Sequence, residues 1–264
     1  METVYLKIAG ITIGIQSEVL GVIKRFVEMY RHYLRTDGDA CYATLTISVD
    51  DMKKYIRKEK LPFDENSSTI YSRYIYSSAY DPISKRAHLL TDLDNIYPVS
   101  EEYLMKWFSH LCIENGKLLF HSSVVINQND EARIFYGPSG IGKSTIVQLS
   151  ENHHVFTDDL SVLERRPDSD FCIYKTPFER NKNAVKARKI AIKGMYRLHQ
   201  STSDSLQKLP APMHTANLLA NVWNLDFNNK GYELYHRVIE RDFGNTPGYN
   251  LFFMKHSNFW NLIS

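Results

Sequence analysis

The sequence predicts an α/β protein built on a phosphate-binding loop, with a mixed or antiparallel sheet around the loop and a β-rich region ahead of it. Three observations carry this reading. Residues 137–145 read Gly-Pro-Ser-Gly-Ile-Gly-Lys-Ser-Thr, a complete G-x-x-x-x-G-K-[ST] loop. A strand-like stretch at 132–136 precedes it and a helical turn at 146–149 follows, the order such a loop requires. A second strand pattern, 117–126, reaches residue 132 through the polar run Asn127-Gln128-Asn129-Asp130. So short a connection makes the two strands antiparallel neighbours, because a parallel pair needs a crossover of about a dozen residues.

A chain of 264 residues forms one large domain or two small ones. The division expected here is a β-rich region with one helix at 1–95 and the phosphate-loop domain at 96–264. The formal charge of +2 is too small to argue for a nucleic-acid partner. No apolar run approaches the ~20 residues that span a bilayer, so no membrane partner is expected. The first residues, Met1-Glu2-Thr3-Val4-Tyr5-Leu6-Lys7, lack the apolar core and cleavage site of a signal peptide. Cys41, Cys112 and Cys172 are odd in number and far apart, unlike a disulfide framework or a zinc site. They read as free thiols filling core positions in a reducing, cytoplasmic setting.

In chain order, 4–8 and 11–15 alternate apolar and β-branched residues, two short strands turning at Ala9-Gly10. Ser17 and Glu18 open a helix whose apolar face takes in Leu20, Val22, Ile23, Val27, Tyr30 and Leu34. Lys24, Arg25, Arg31 and Arg35 make its other side basic, read as a solvated face. Residues 42–49 are a strand. A basic run (Lys53, Lys54, Arg57, Lys58, Lys60) and an exposed loop at 62–68 follow. The tyrosine-rich 69–76 reads as one strand, and its tyrosines reflect strand composition rather than base stacking. Residues 88–92 give one more strand. Ser100-Glu101-Glu102 caps a helix running through Leu104, Trp107, Phe108, Leu111 and Cys112 to Asn115-Gly116.

Within the loop, the glycines let successive backbone N–H groups converge on one anion. Gly137, Ser139, Gly140, Ile141, Gly142, Lys143, Ser144 and Thr145 are therefore the expected nucleotide-binding residues. Lys143 supplies a positive charge for the β- and γ-phosphates, and the Ser144 hydroxyl is a Mg²⁺ ligand. Asp158 and Asp159 end the short apolar stretch 154–157, placing two carboxylates one short helix after the loop. Phosphoryl transfer uses such groups twice, once near the metal and once to take the proton of an attacking hydroxyl.

His121, the loop 137–145 and Thr157-Asp158-Asp159 together resemble the C-terminal catalytic domain of HPr kinase/phosphorylase. The likeness is closer to the shorter HPr-kinase-like serine kinases, including those encoded with lasso-peptide biosynthesis. It is strongest over 117–180. It implies a phosphoenolpyruvate-carboxykinase-like P-loop fold, ATP and Mg²⁺ at the loop, and a serine hydroxyl on a peptide or protein as acceptor. Carried over by position, His121 lies near the transferred phosphate, Asp158 is the general base and Asp159 a metal-side carboxylate, with exchange of those two roles left open. For His121 a buried structural imidazole is an equal alternative. Glu179, in a Thr176-Pro177-Phe178-Glu179 stretch that the shorter relatives also carry, either orients the base or metal or is an exposed glutamate. The resemblance also implies a homo-oligomer. It does not extend to the phosphorylase signature, a Leu-Glu-x-Arg-Gly segment not recognisable near 189–194, nor to the regulatory domain of the long enzymes.

In the last third, Arg180, Lys182, Lys186, Arg188 and Lys189 form a charge run, read mainly as solvated, with Arg180 or Lys182 able to reach a nucleotide. Residues 190–198 are a strand. Pro210-Ala211-Pro212 leads a helix with Leu218, Leu219, Val222 and Trp223 at core spacing. A further helix at 232–239, a strand at 249–254 and a closing segment at 258–263 complete the chain. Two other readings of the loop are a nucleotide-hydrolysing switch with water as acceptor, and a nucleotide-gated adaptor whose first third binds a peptide.

Overall fold

The computed structural model describes residues 1–36, 41–52, 69–73, 75–151, 153–168, 170–178, 187–222 and 229–263. Outside them lie the basic run and loop expected at 53–68, together with Glu179, Arg180, Lys182, Lys186 and Trp223. The chain is mixed α/β, with two mixed sheets and, among the described residues, six α-helices. It divides into two compact units, one comprising Met1–His110 and the other running from Leu111.

The first unit contains β1 (Glu2–Ile8), β2 (Ile11–Ser17), α1 (Leu20–Met29), β3 (Leu34–Arg35), β4 (Ala43–Val49), β5 (Thr69–Arg73), β6 (Tyr76–Asp81) and β7 (Arg86–Thr91). It also holds most of α2 (Ile96–Glu114), within which the unit boundary falls. Its seven-stranded sheet runs β3-β1-β2-β4-β7-β6-β5. The central β2, β4 and β7 are parallel neighbours and the flanking pairs antiparallel.

Three details here depart from the sequence reading. The buried stripe of α1 is Val22, Ile23 and Phe26, while Leu20 and Val27 are 46% and 41% exposed. At 100° per residue those two fall roughly a quarter turn or more from the stripe's centre, and Leu34 has already left the helix for β3. The tyrosine-rich 69–76 is a hairpin rather than one strand, with Arg73 paired to Tyr76. Finally, α2 begins a turn before Ser100, which is fully buried inside the helix. Its start is set by Asp92, whose Oδ1 accepts from the Asn95 N–H at 3.0 Å, and by Pro98, tolerated in a first turn where its missing N–H has no helical partner.

The second unit contains β8 (Lys117–Ile126), β9 (Glu131–Tyr136), α3 (Lys143–Gln148), β10 (His154–Thr157), β11 (Leu160–Arg165), β12 (Phe171–Lys175), β13 (Ala187–Gln200) and β14 (Ser205–Lys208). After them come α4 (Ala211–Leu219), α5 (Asn229–Phe243), β15 (Gly248–Phe253) and α6 (Trp260–Ile263). The strand path is β10-β8-β11-β12-β13-β15-β14, and β9 pairs with both β8 and β13. The hairpin at 127–130 forms as the sequence predicts. Asn127 Oδ1 accepts from the Asn129 and Glu131 N–H groups at 2.9 and 3.0 Å, and β8 and β9 are antiparallel. In contrast, β13 runs parallel to both β9 and β15, so three strands end on the same side as the phosphate loop.

β12 and β14 are additional strands that the sequence reading leaves unassigned. Both are short, and β14 is almost wholly exposed, so neither presents a long apolar alternation. The core against α3 gathers Val125, Phe135, Ile146, Leu198, Phe253, Phe259 and Trp260. Ile146 alone, fully buried, contributes about 1.5–3 kcal/mol to seating the helix. The Trp260 Nε1–H donates to Leu149 O at 3.3 Å and ties the C-terminal segment to the helix's end.

Candidate active site

The loop leaves the carboxyl end of β9 at Gly137 and turns into α3 at Lys143. Gly142, which caps α3, has φ +118°, and a Cβ there would lie 2.7 Å from Phe253 Cζ. Glycine is required on both counts, since the left-handed conformation and the close ring each exclude a side chain. α3 is only six residues long. An anion here would be held chiefly by the loop's own amides and side chains rather than by a long helix dipole.

Lys143 is buried, and its Nζ donates to Gly137 O at 2.9 Å and Pro138 O at 3.2 Å. Burial pulls its pKa below the ordinary lysine value, and the nearby Asp159 charge acts in the opposite direction. The ammonium therefore sits in a place where further negative charge is favourable.

Facing the loop, β10 and β11 lie along one edge of β8 as a nearly continuous antiparallel ribbon. The register shifts between Val155 and Thr157, a bulge just before Asp158 and Asp159. Bulges re-aim side chains, and this one turns the linking residues out of regular alternation. The backbone there remains tied down: the Ser122 N–H donates to Asp159 O at 2.8 Å, and the Asp159 N–H to Thr157 Oγ1 at 3.2 Å. His121, opposite Leu160 on β8, brings its Nε2 to 3.4 Å from Asp159 Oδ1. Asp158 Oδ1 is enclosed and has no hydrogen-bond partner among the described residues.

These elements line one cavity of about 320 Å³, formed by His121, Ser139, Gly140, Gly142, Lys143, Ser144, Thr145, Asp158 and Asp159. Of the residues expected from the sequence, Gly137 and Ile141 do not line it. Gly137 supplies a carbonyl to Lys143, and Ile141 packs against the core beneath the loop. Among the described residues no group of three or more His, Cys, Asp and Glu side chains forms a metal cage. The side-chain oxygens lining the cavity are the carboxylates of Asp158 and Asp159 and the hydroxyls of Ser139, Ser144 and Thr145. That set matches magnesium, which takes one or two carboxylates and fills its remaining positions with water and phosphate oxygens.

Two residues at the loop escaped the sequence reading. Gln200, the last residue of β13, donates from Nε2 to Gly140 O at 3.4 Å and Ile141 O at 3.3 Å. Phe253, opposite it at the end of β15, sets the space beneath Gly142. No local motif marks either one. Only the topology does, because ligands of open α/β sheets sit at the carboxyl ends of parallel strands. No protein-family model matches the chain, and no curated protein matches it.

Proposed function

We propose that the protein is an ATP- and Mg²⁺-dependent kinase that phosphorylates a serine hydroxyl of a peptide or protein, with the phosphoenolpyruvate-carboxykinase-like fold of the HPr-kinase-like serine kinases. The observation that carries this reading is one cavity lined by the phosphate loop, His121 and both aspartates. The loop amides and Lys143 hold the β- and γ-phosphates. The serine oxygen attacks the γ-phosphorus, the bond to the β-phosphate oxygen breaks and ADP leaves. Asp158 takes the hydroxyl proton, the role suited to a carboxylate oxygen enclosed without a donor. Asp159, flanked by His121 and Lys143, sits on the metal side, and Ser144 and Asp159 would hold magnesium. That ion, when bound, neutralises charge between phosphates and carboxylates. His121 steadies Asp159 and lies beside the transferred group.

The test is incubation with ATP, Mg²⁺ and a pool of serine-bearing peptides, read as a phosphate mass shift. The wild type is expected to modify a peptide and Asp158→Asn to leave it unmodified. ATP turnover with no peptide modified would assign the loop to a hydrolytic switch instead.

A further inference from the structure

The phosphate loop is held from behind by a residue outside its motif. Four loop carbonyls have side-chain donors: Gly137 O and Pro138 O accept from Lys143, and Gly140 O and Ile141 O accept from Gln200. A trans peptide is planar, so the carbonyl of one residue and the N–H of the next point in opposite directions. Drawing the Ile141 carbonyl toward Gln200 therefore aims the Gly142 N–H away from Gln200. The preceding N–H, that of Ile141, is already engaged with Pro138 O at 3.3 Å. Gly142 lines the cavity, and the Phe253 ring stops it from sinking toward the core. Gln200 and Phe253 are register partners on the parallel strands β13 and β15, so the loop rests on the ends of two strands that are themselves fixed in the sheet.

We infer that Gln200 is a positioning residue of the phosphate site, presetting the Gly142 amide toward the nucleotide phosphates by holding the Gly140 and Ile141 carbonyls. The inference rests on the nucleotide reading above. Gln200 is exposed, so its replacement leaves the core untouched.

The experiment is calorimetric titration of MgATP into wild type, Gln200→Leu and Gln200→Glu, with the melting temperature of each. One hydrogen bond's worth of preorganisation corresponds to about a three- to tenfold loss of affinity in Gln200→Leu at unchanged melting temperature. Gln200→Glu is expected to lose more, because its carboxylate repels both the carbonyls and the phosphates. In amide NMR spectra of the nucleotide-free protein, the Gly142 resonance should shift or broaden in Gln200→Leu, which loss of an unrelated surface side chain would not cause. Wild-type affinity in Gln200→Leu overturns the inference, as does a weakened affinity accompanied by a fall in melting temperature. A wild type that binds no MgATP overturns the nucleotide reading instead, so the two failures are read from different arms.

Discussion

The paired strands β8 and β11 carry ionisable groups at both ends, and the two ends are finished differently. At one end Lys117 and Glu164 are register partners, with Nζ 2.7 Å from Oε1. The other carboxylate oxygen of Glu164 accepts from the Tyr174 hydroxyl and has Arg166 at 3.7 Å. Every charge there has a protein partner. At the opposite end His121 and Asp159 stand 3.4 Å apart, and Asp158 Oδ1, although enclosed, has no hydrogen-bond partner among the described residues. A buried carboxylate oxygen without a donor is costly. Such an arrangement is expected where a ligand completes the set, and the cavity lined by the phosphate loop lies at that end. On this contrast the Lys117 end serves the fold, and the Asp158 end is the one to which the proposed chemistry is assigned.

That contrast predicts that substitutions at the two ends affect different properties. The largest effect is expected from Asp158→Asn, which should lower phosphate transfer by about 10²–10⁴-fold. Its melting temperature should stay level, because the change is isosteric and Asp158 Oδ1 has no hydrogen bond to lose among the described residues. Transfer assays and thermal unfolding on the same preparation check both halves. Next in size is Gly142→Ala, which meets Phe253 and a left-handed backbone at once. It is expected to abolish nucleotide binding and to cost about 1–3 kcal/mol of stability. Adding Phe253→Leu should restore part of the stability if the ring is the obstacle, as urea titration of the double variant would show.

At the other end, Glu164→Gln should cost about 1–2 kcal/mol of stability and leave transfer unchanged. For Glu164, burial pushes the pKa up, but hydrogen bonds from Lys117 and Tyr174 outweigh it and hold the carboxyl below its ordinary value of 4.5. Because the folded pKa is the lower one, this contribution is complete above the unfolded value and disappears as pH falls through the folded value. Stability measured against pH should thus have a shallower acid limb in Glu164→Gln than in wild type. The smallest effect concerns the cysteines, all three of which are free. Reductant should not change the melting temperature. Cys112, wholly buried with its thiol pKa raised by burial, should resist a thiol reagent in the native protein, while the half-buried Cys41 and Cys172 react.

Much of the candidate site is legible in the sequence because its parts are local. The loop is one uninterrupted motif, the hairpin at 127–130 advertises itself in four polar residues, and Asp158-Asp159 follow within one short helix. What remained hidden was made by pairing at a distance. Nothing near Gln200 or Phe253 signals a phosphate site, since both reach the loop only through the parallel pairing of β13 with β9 and β15. The same cause lies behind the misread hairpin at 69–81. Its tyrosines and serines suit a strand throughout, and the break at residue 75 is fixed by pairing with β7, where the Thr91 hydroxyl donates to Ile75 O at 2.7 Å. Within α1, apolar side chains at the rim of the buried stripe were indistinguishable from core residues by spacing alone.

Under the proposed function, the cavity lined by Lys143 and Asp158 binds a nucleoside triphosphate. Calorimetric titration of MgATP into wild-type and Lys143→Ala protein tests it most directly. A saturable one-to-one isotherm is expected for the wild type and none for Lys143→Ala, with both proteins equally folded. Equal binding by the two proteins, or no binding by the folded wild type, would contradict it.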